Sequence, residues 1–91
     1  MIELIWDEKF KRLFKKWSQK HPDLMEQFRN KMELFVIDPF HPSLKTHSLS
    51  GILKGSWAIR INYEQRLIFR FVDKEKEKVL LIDLGTHNEV Y

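Results

Sequence analysis

Three arginines and a histidine stand out in the second half of the chain. Arg60, Arg66 and Arg70 sit at even spacings in two alternating runs, "WAIRIN" and "RLIFRF", and His87 follows an aliphatic run in "LGTHNEVY". On a strand, even spacing puts side chains on one face. Guanidinium groups on neighbouring strands repel one another unless an anion sits among them, and their planar fork suits bidentate phosphate recognition. Histidine is the side chain best matched to proton transfer near neutral pH, and cleavage of RNA by its own 2′-OH needs a base and an acid. The same arginines would also serve as a solvated sheet face whose charge discourages aggregation.

Other residues could join them. His47, in "LKTHSLSG", faces the arginines if Leu44 anchors its segment in the core, and the other way if Leu49 does; pattern alone leaves this open. Lys54 stands between Gly51 and Gly55, either in a tight connection or as a phosphate contact. A GxxxxGK[ST] phosphate loop is absent, so a nucleotide-binding loop is not expected. Tyr91 either packs against a sheet edge or stacks on a base. His21 and His41 lie in proline-bounded loops and read as structural or surface residues. No cysteine is present and no histidines have HxxxH or HExxH spacing, so neither a metal nor a cofactor is expected.

The elements that would position these groups follow from periodicity. In "MIELIW", Ile2, Leu4 and Trp6 alternate as a short strand. From Asp7, a plausible N-cap, the period changes: Phe10, Leu13, Phe14 and Trp17 form one stripe of an amphipathic helix. Its outer surface carries Lys9, Lys11, Arg12, Lys15 and Lys16, a solvated face or a nonspecific RNA or ribosome contact. Pro22 suits the first turn of a second helix, with Leu24, Phe28, Met32, Phe35 and Val36 inward, stopped at Pro39. An extended segment around His47 precedes three strands: Trp57, Ile59 and Ile61 alternate, then Leu67, Phe69 and Phe71, then "VLLIDL" runs almost continuously apolar. Matching the apolar sets pairs Ile61 with Leu67, leaves Tyr63–Glu64–Gln65 as the turn, and turns Leu80, Ile82 and Leu84 inward with Asp83 outward. The predicted architecture is α+β: an N-terminal strand and a helical hairpin packed on one face of a small antiparallel β-sheet.

Ninety-one residues, 43% of them hydrophobic, suffice for one domain spanning 1–91. Sixteen basic against 13 acidic residues give a net charge of +3, a mild lean towards polyanions. Neither a signal peptide nor a membrane-spanning run is visible, so the expectation is a soluble, cytoplasmic protein.

Together "H-x-L-x-G", "G-x-W-x-x-R-I", "R-L-I-F-R" and a closing "G-T-H-x-E-V-Y" resemble the RelE/ParE superfamily of type II toxin–antitoxin toxins. The layout covers the whole chain and the motifs about Leu44 to Tyr91, closest to the RelE and YafQ-type mRNA interferases with HigB-like features. The resemblance implies a ribosome-dependent, metal-independent endoribonuclease acting on mRNA in the A site. It implies a cognate antitoxin as partner, and operator DNA only through the antitoxin complex. By position it makes His87 the general acid, His47 or Glu64 the general base, and Arg66 the phosphate-binding arginine. Arg60 stands where YafQ-like toxins have a further histidine, Tyr91 where an aromatic positions a substrate base, and Lys54 in the region of basic contacts; Arg70 is a substrate-binding candidate from its place on the arginine face alone. A ParE-like gyrase inhibitor without RNase activity, or an inactive antitoxin-binding module, would share the fold.

Overall fold

The computed structural model describes residues 1–91. A short strand β1 (Glu3–Ile5) leads into helix α1 (Glu8–Lys20), whose first turn is closed by the Asp7 carboxylate accepting the Phe10 N–H at 2.8 Å. A single 3-10 turn at Pro22–Leu24 reverses the chain into α2 (Met25–Ile37), completing the helical hairpin. The sheet strands follow as β2 (His47–Ser48), β3 (Trp57–Arg60), β4 (Gln65–Phe71) and β5 (Lys78–Thr86), and a final helical turn, α3, spans His87–Val90.

The five strands lie in the order β1-β5-β4-β3-β2. Four are mutually antiparallel; β1 adds to the free edge of β5 in parallel, so the sheet is mixed. The helices cover one face. Phe10, Trp17, Phe28, Met32 and Phe35 meet Ile59, Ile61, Leu67, Phe69, Val79, Leu81 and Leu84 in one core. Fully burying each large apolar side chain there contributes about 1.5–3 kcal/mol. Trp17 reaches through this layer to donate its indole N–H to Gln65 Oε1 at 3.0 Å, which satisfies a buried amide that the sheet would otherwise strand.

Two details depart from the sequence reading. Arg60 pairs with Arg66 and Ile59 with Leu67, so the turn falls at Asn62–Glu64, one residue earlier than expected. Asn62 sets it, its side-chain oxygen accepting the N–H groups of Glu64 and Gln65 at 2.9 and 2.7 Å. The pairing shifts by two positions, and an even shift leaves every side chain on its predicted face. In β5 the change is larger. Ile68 pairs with Asp83 but Phe69 with Leu81, so Ile82 is an extra, bulged residue. The bulge swaps parity: Val79 and Leu81 face the helices before it and Leu84 after it, whereas Leu80 and Ile82 do not join that core. Asp83, opposite Ile68, keeps its predicted outward face.

Candidate active site

The face away from the helices is not bare. Ala58 and Ile68 form a small apolar patch on it, and Val90 of α3 folds down to cover them. Gly85 permits that approach. A Cβ there would lie 3.1 Å from Glu89 Oε1 and 3.3 Å from Val90 Cγ1, so a side chain would crowd the C-terminal turn, which would have to give by a few tenths of an ångström. Gly85 therefore does not bend the strand, which continues to Thr86; it makes room above it. A reciprocal cap starts the turn: Glu89 Oε1 accepts the Thr86 N–H at 2.8 Å, and Thr86 Oγ1 accepts the Glu89 N–H at 3.4 Å.

This docking brings His87 and Tyr91 over the arginine face. Arg60, Tyr63, Glu64, Arg66, Thr86, His87 and Asn88 line an open cleft of about 470 Å³. Its base is the directly paired Arg60 and Arg66. One wall is the Asn62–Glu64 turn and the other is α3. Arg66 Nη1 donates to the carbonyls of Tyr63 at 2.8 Å and Asn62 at 3.1 Å, which orients the guanidinium and leaves Nε and Nη2 without partners. Arg60 makes no side-chain hydrogen bond within the chain. The only ion pair is Lys11–Glu8, so neither cleft arginine is neutralised by a carboxylate, Glu64 included.

His47 pairs with Ala58 and so occupies the same face; Leu44 is buried in the core but ends the 3-10 turn Pro42–Leu44, with Lys45 left-handed after it, so strand alternation does not run from Leu44 to His47. Its Nδ1 lies 2.8 Å from the Lys45 carbonyl, which can only accept, so the ring hydrogen of the neutral imidazole sits on Nδ1. Nε2 is left with its lone pair, 3.4 Å from the Tyr91 hydroxyl, which donates to it. The Tyr91 ring in turn meets His87 edge-on, with centroids 4.3 Å apart. Burial raises the Tyr91 pKa above its ordinary 10.0 despite the opposing pull of Arg66 and Arg60, so the hydroxyl keeps its proton. The result is a chain of contacts, His47–Tyr91–His87, beside two uncompensated arginines.

Of the expected residues, Arg60, Glu64, Arg66 and His87 line the cleft, while Tyr91 joins through its ring contact with His87 and His47 through Tyr91, both outside that lining. Arg70 shares the face but lies further along β4, where its Nε donates to Ser56 Oγ and its Nη2 to the Lys54 carbonyl, each at 3.1 Å. Those bonds hold the Gly51–Gly55 connection, and neither Arg70 nor Lys54 lines the cleft. Thr86, Asn88 and Val90 went unnoticed in the sequence, and Tyr63 was read only as a turn residue. The "T-x-x-E" spacing of Thr86 and Glu89 was a legible capping signal. Nowhere do three His, Asp or Glu side chains gather where they could hold a metal ion.

No family model matches the chain. No curated protein matches it either. Solved structures do. A copper-bound mutant toxin from Helicobacter pylori superposes with a TM-score of 0.77 at 22% identity, covering 100% of both chains. A chain of the DinJ–YafQ complex from E. coli gives 0.76 at 19%, covering 100% of this chain and 99% of that one. A chain of the YoeB–YefM complex from Staphylococcus aureus gives 0.71 at 17%, covering 96% and 98%. The fold is that of the RelE/ParE-type toxins.

Proposed function

We propose, from the fold shared with RelE/ParE-type toxins, that this chain is the toxin of a type II toxin–antitoxin pair and cleaves mRNA in the ribosomal A site. The observation that carries this reading is a histidine whose Nε2 accepts from the Tyr91 hydroxyl, which joins it to a second histidine, beside two arginines that no carboxylate neutralises. A fold alone would not require that constellation.

In this mechanism the scissile phosphate lies over Arg66 and Arg60. His47 Nε2, vacated by the Tyr91 hydroxyl, takes the proton of the 2′-OH. The 2′-oxygen bonds to phosphorus, and the P–O5′ bond breaks. His87 delivers a proton to the departing 5′-oxygen, leaving a 2′,3′-cyclic phosphate and a 5′-OH. The arginines hold the charge that accumulates on the phosphorane, a contribution typically worth about 10²–10³ in rate per donor. Between His47 and Glu64, an Nε2 oriented by the Lys45 contact and held only by a long 3.4 Å bond from Tyr91 favours His47 as the base. Glu64 stays an exposed carboxylate of the turn wall.

Basic residues of α1, Lys9, Lys11, Arg12, Lys15, Lys16 and Lys20, are positioned for ribosomal RNA phosphates. The DinJ–YafQ and YoeB–YefM complexes support a cognate antitoxin here also, one whose acidic or amphipathic segment covers the arginine face, with operator DNA bound only by that complex. No helix is long and apolar enough to cross a membrane.

The test is in vitro translation on purified ribosomes with a defined mRNA, comparing wild type with His87→Ala and Arg66→Ala. Primer extension should place 5′ ends within A-site codons for the wild type and for neither variant. An absence of cleavage on ribosomes and on free RNA alike would overturn the reading and direct attention to gyrase.

A further inference from the structure

The chain has two tyrosines, and both border the cleft arginines. Tyr91 is engaged with His47 and His87. Tyr63 is not engaged at all. It is 85% exposed, its hydroxyl has no partner, and its ring meets no other aromatic. Turn positions favour small polar residues, which serve the backbone there at no cost in exposed apolar surface. Here the fold instead holds a bare aromatic ring on the rim of a positively charged cleft.

The turn beneath that ring is fixed from both sides. Asn62 Oδ1 accepts two backbone N–H groups within it, and the Arg66 guanidinium clamps the Asn62 and Tyr63 carbonyls. The group proposed to hold the scissile phosphate is therefore the same group that fixes the backbone of Tyr63. An aromatic side chain rooted on a fixed backbone beside a phosphate donor suits a nucleotide, which carries its base one ribose away from its phosphate.

We propose that Tyr63 is a stacking platform for the nucleobase flanking the scissile phosphate on the side away from Tyr91. The inference rests on the RNA-cleaving reading above and adds a binding subsite to it. Every base offers a π-face, so Tyr63 contributes affinity for RNA and little choice among bases. It is a binding group, not one that moves a proton.

The test uses single-turnover cleavage on ribosomes programmed with mRNA, over a range of toxin concentration, for wild type, Tyr63→Ala and Tyr63→Phe. Because the side chain is 85% exposed and makes no hydrogen bond, both variants should keep the wild-type melting temperature. For Tyr63→Ala the half-saturating concentration should rise roughly 5- to 150-fold with the maximal rate little changed. Tyr63→Phe, which keeps the ring, should stay within about twofold of wild type. On mRNA carrying an abasic residue at the flanking position, wild type and Tyr63→Ala should become indistinguishable.

Equal half-saturation for wild type and Tyr63→Ala on intact mRNA, with wild type cleaving, would overturn this subsite and leave the nuclease reading standing. A deficit that persists on every abasic message, or that appears only in antitoxin affinity, would assign Tyr63 to a protein contact and overturn it too. A wild type that cleaves nothing would remove both.

Discussion

Replacing Glu89 by alanine tests whether the C-terminal turn is an assembled part of the site. A four-residue helix has no stability of its own in water, so α3 exists by virtue of its cap and its docking. The cap is the Thr86–Glu89 pair, and losing it costs about 1 kcal/mol. The remaining anchor is Val90 on Ala58 and Ile68, contributing about 1.5–3 kcal/mol. Ordering even one or two backbone residues costs about as much. Without the carboxylate the docked fraction should therefore fall, and the maximal cleavage rate with it by up to about fivefold, the factor that about 1 kcal/mol carries. Glu89→Gln retains an oxygen that accepts the Thr86 N–H and should recover most of the rate. Two readouts separate this from general damage: the melting temperature should hold, while exchange of the Tyr91 amide, bonded to the His87 carbonyl at 3.0 Å, should accelerate. The pH dependence has a definite sign. The Glu89 pKa lies below its ordinary 4.5, chiefly through the Thr86 backbone N–H and then the Thr86 hydroxyl, with desolvation opposing and Lys20 and His21 adding smaller favourable terms. A lowered folded-state value means the ionised form stabilises the turn fully above 4.5, and that contribution disappears as pH falls through the lowered value. Wild-type rates and wild-type Tyr91 protection in Glu89→Ala would refute the argument.

Three further outcomes are expected. His47→Ala and His47→Gln should both slow cleavage about 10²–10⁴-fold, because glutamine keeps a hydrogen bond to Tyr91 but not a base; rates within threefold of wild type would remove His47 from the chemistry. Trp17→Phe strands the buried Gln65 oxygen and should lower the unfolding free energy by about 1–3 kcal/mol, read as a shifted urea midpoint, and an unchanged midpoint would contradict the role given to that bond. Ultraviolet titration should find Tyr91 ionising above 10.0 because burial raises it, so its stabilising contribution persists below that value and is lost as pH rises through the folded pKa; replacing His47 should not by itself restore ordinary titration, since burial is the first cause.

Much of this was legible in the residues. Asp7, the Phe10–Trp17 stripe and Pro22 specify the helical hairpin because capping and the 3.6-residue period are local signals. Alternation in β3 and β4 put Arg60, Arg66 and Arg70 on one face, and parity survived the shift in turn position. Parity says nothing about distance along a strand, which is why Arg70 joined the cluster on paper but holds the Gly51–Gly55 connection in the fold. The bulge at Ile82 was hidden for a different reason. "VLLIDL" is apolar on both faces, so no alternation marks where the phase slips. The face of His47 is set by its pairing with Ala58, which its own neighbours do not encode, because a 3-10 turn and a left-handed Lys45 interrupt the alternation from Leu44.

The parallel pairing of β1 with β5 bears on how the protein is born. Glu3 finds its partner only at Lys78, so the first strand waits through the synthesis of both helices and three more strands before its edge is closed. Contacts of such sequence separation slow folding and leave a strand edge exposed meanwhile. The cleft follows the same schedule, since His87 and Tyr91 lie beyond that last strand. A partly made chain therefore lacks both residues that complete the cleft, and the interval before closure is when a protease meets it.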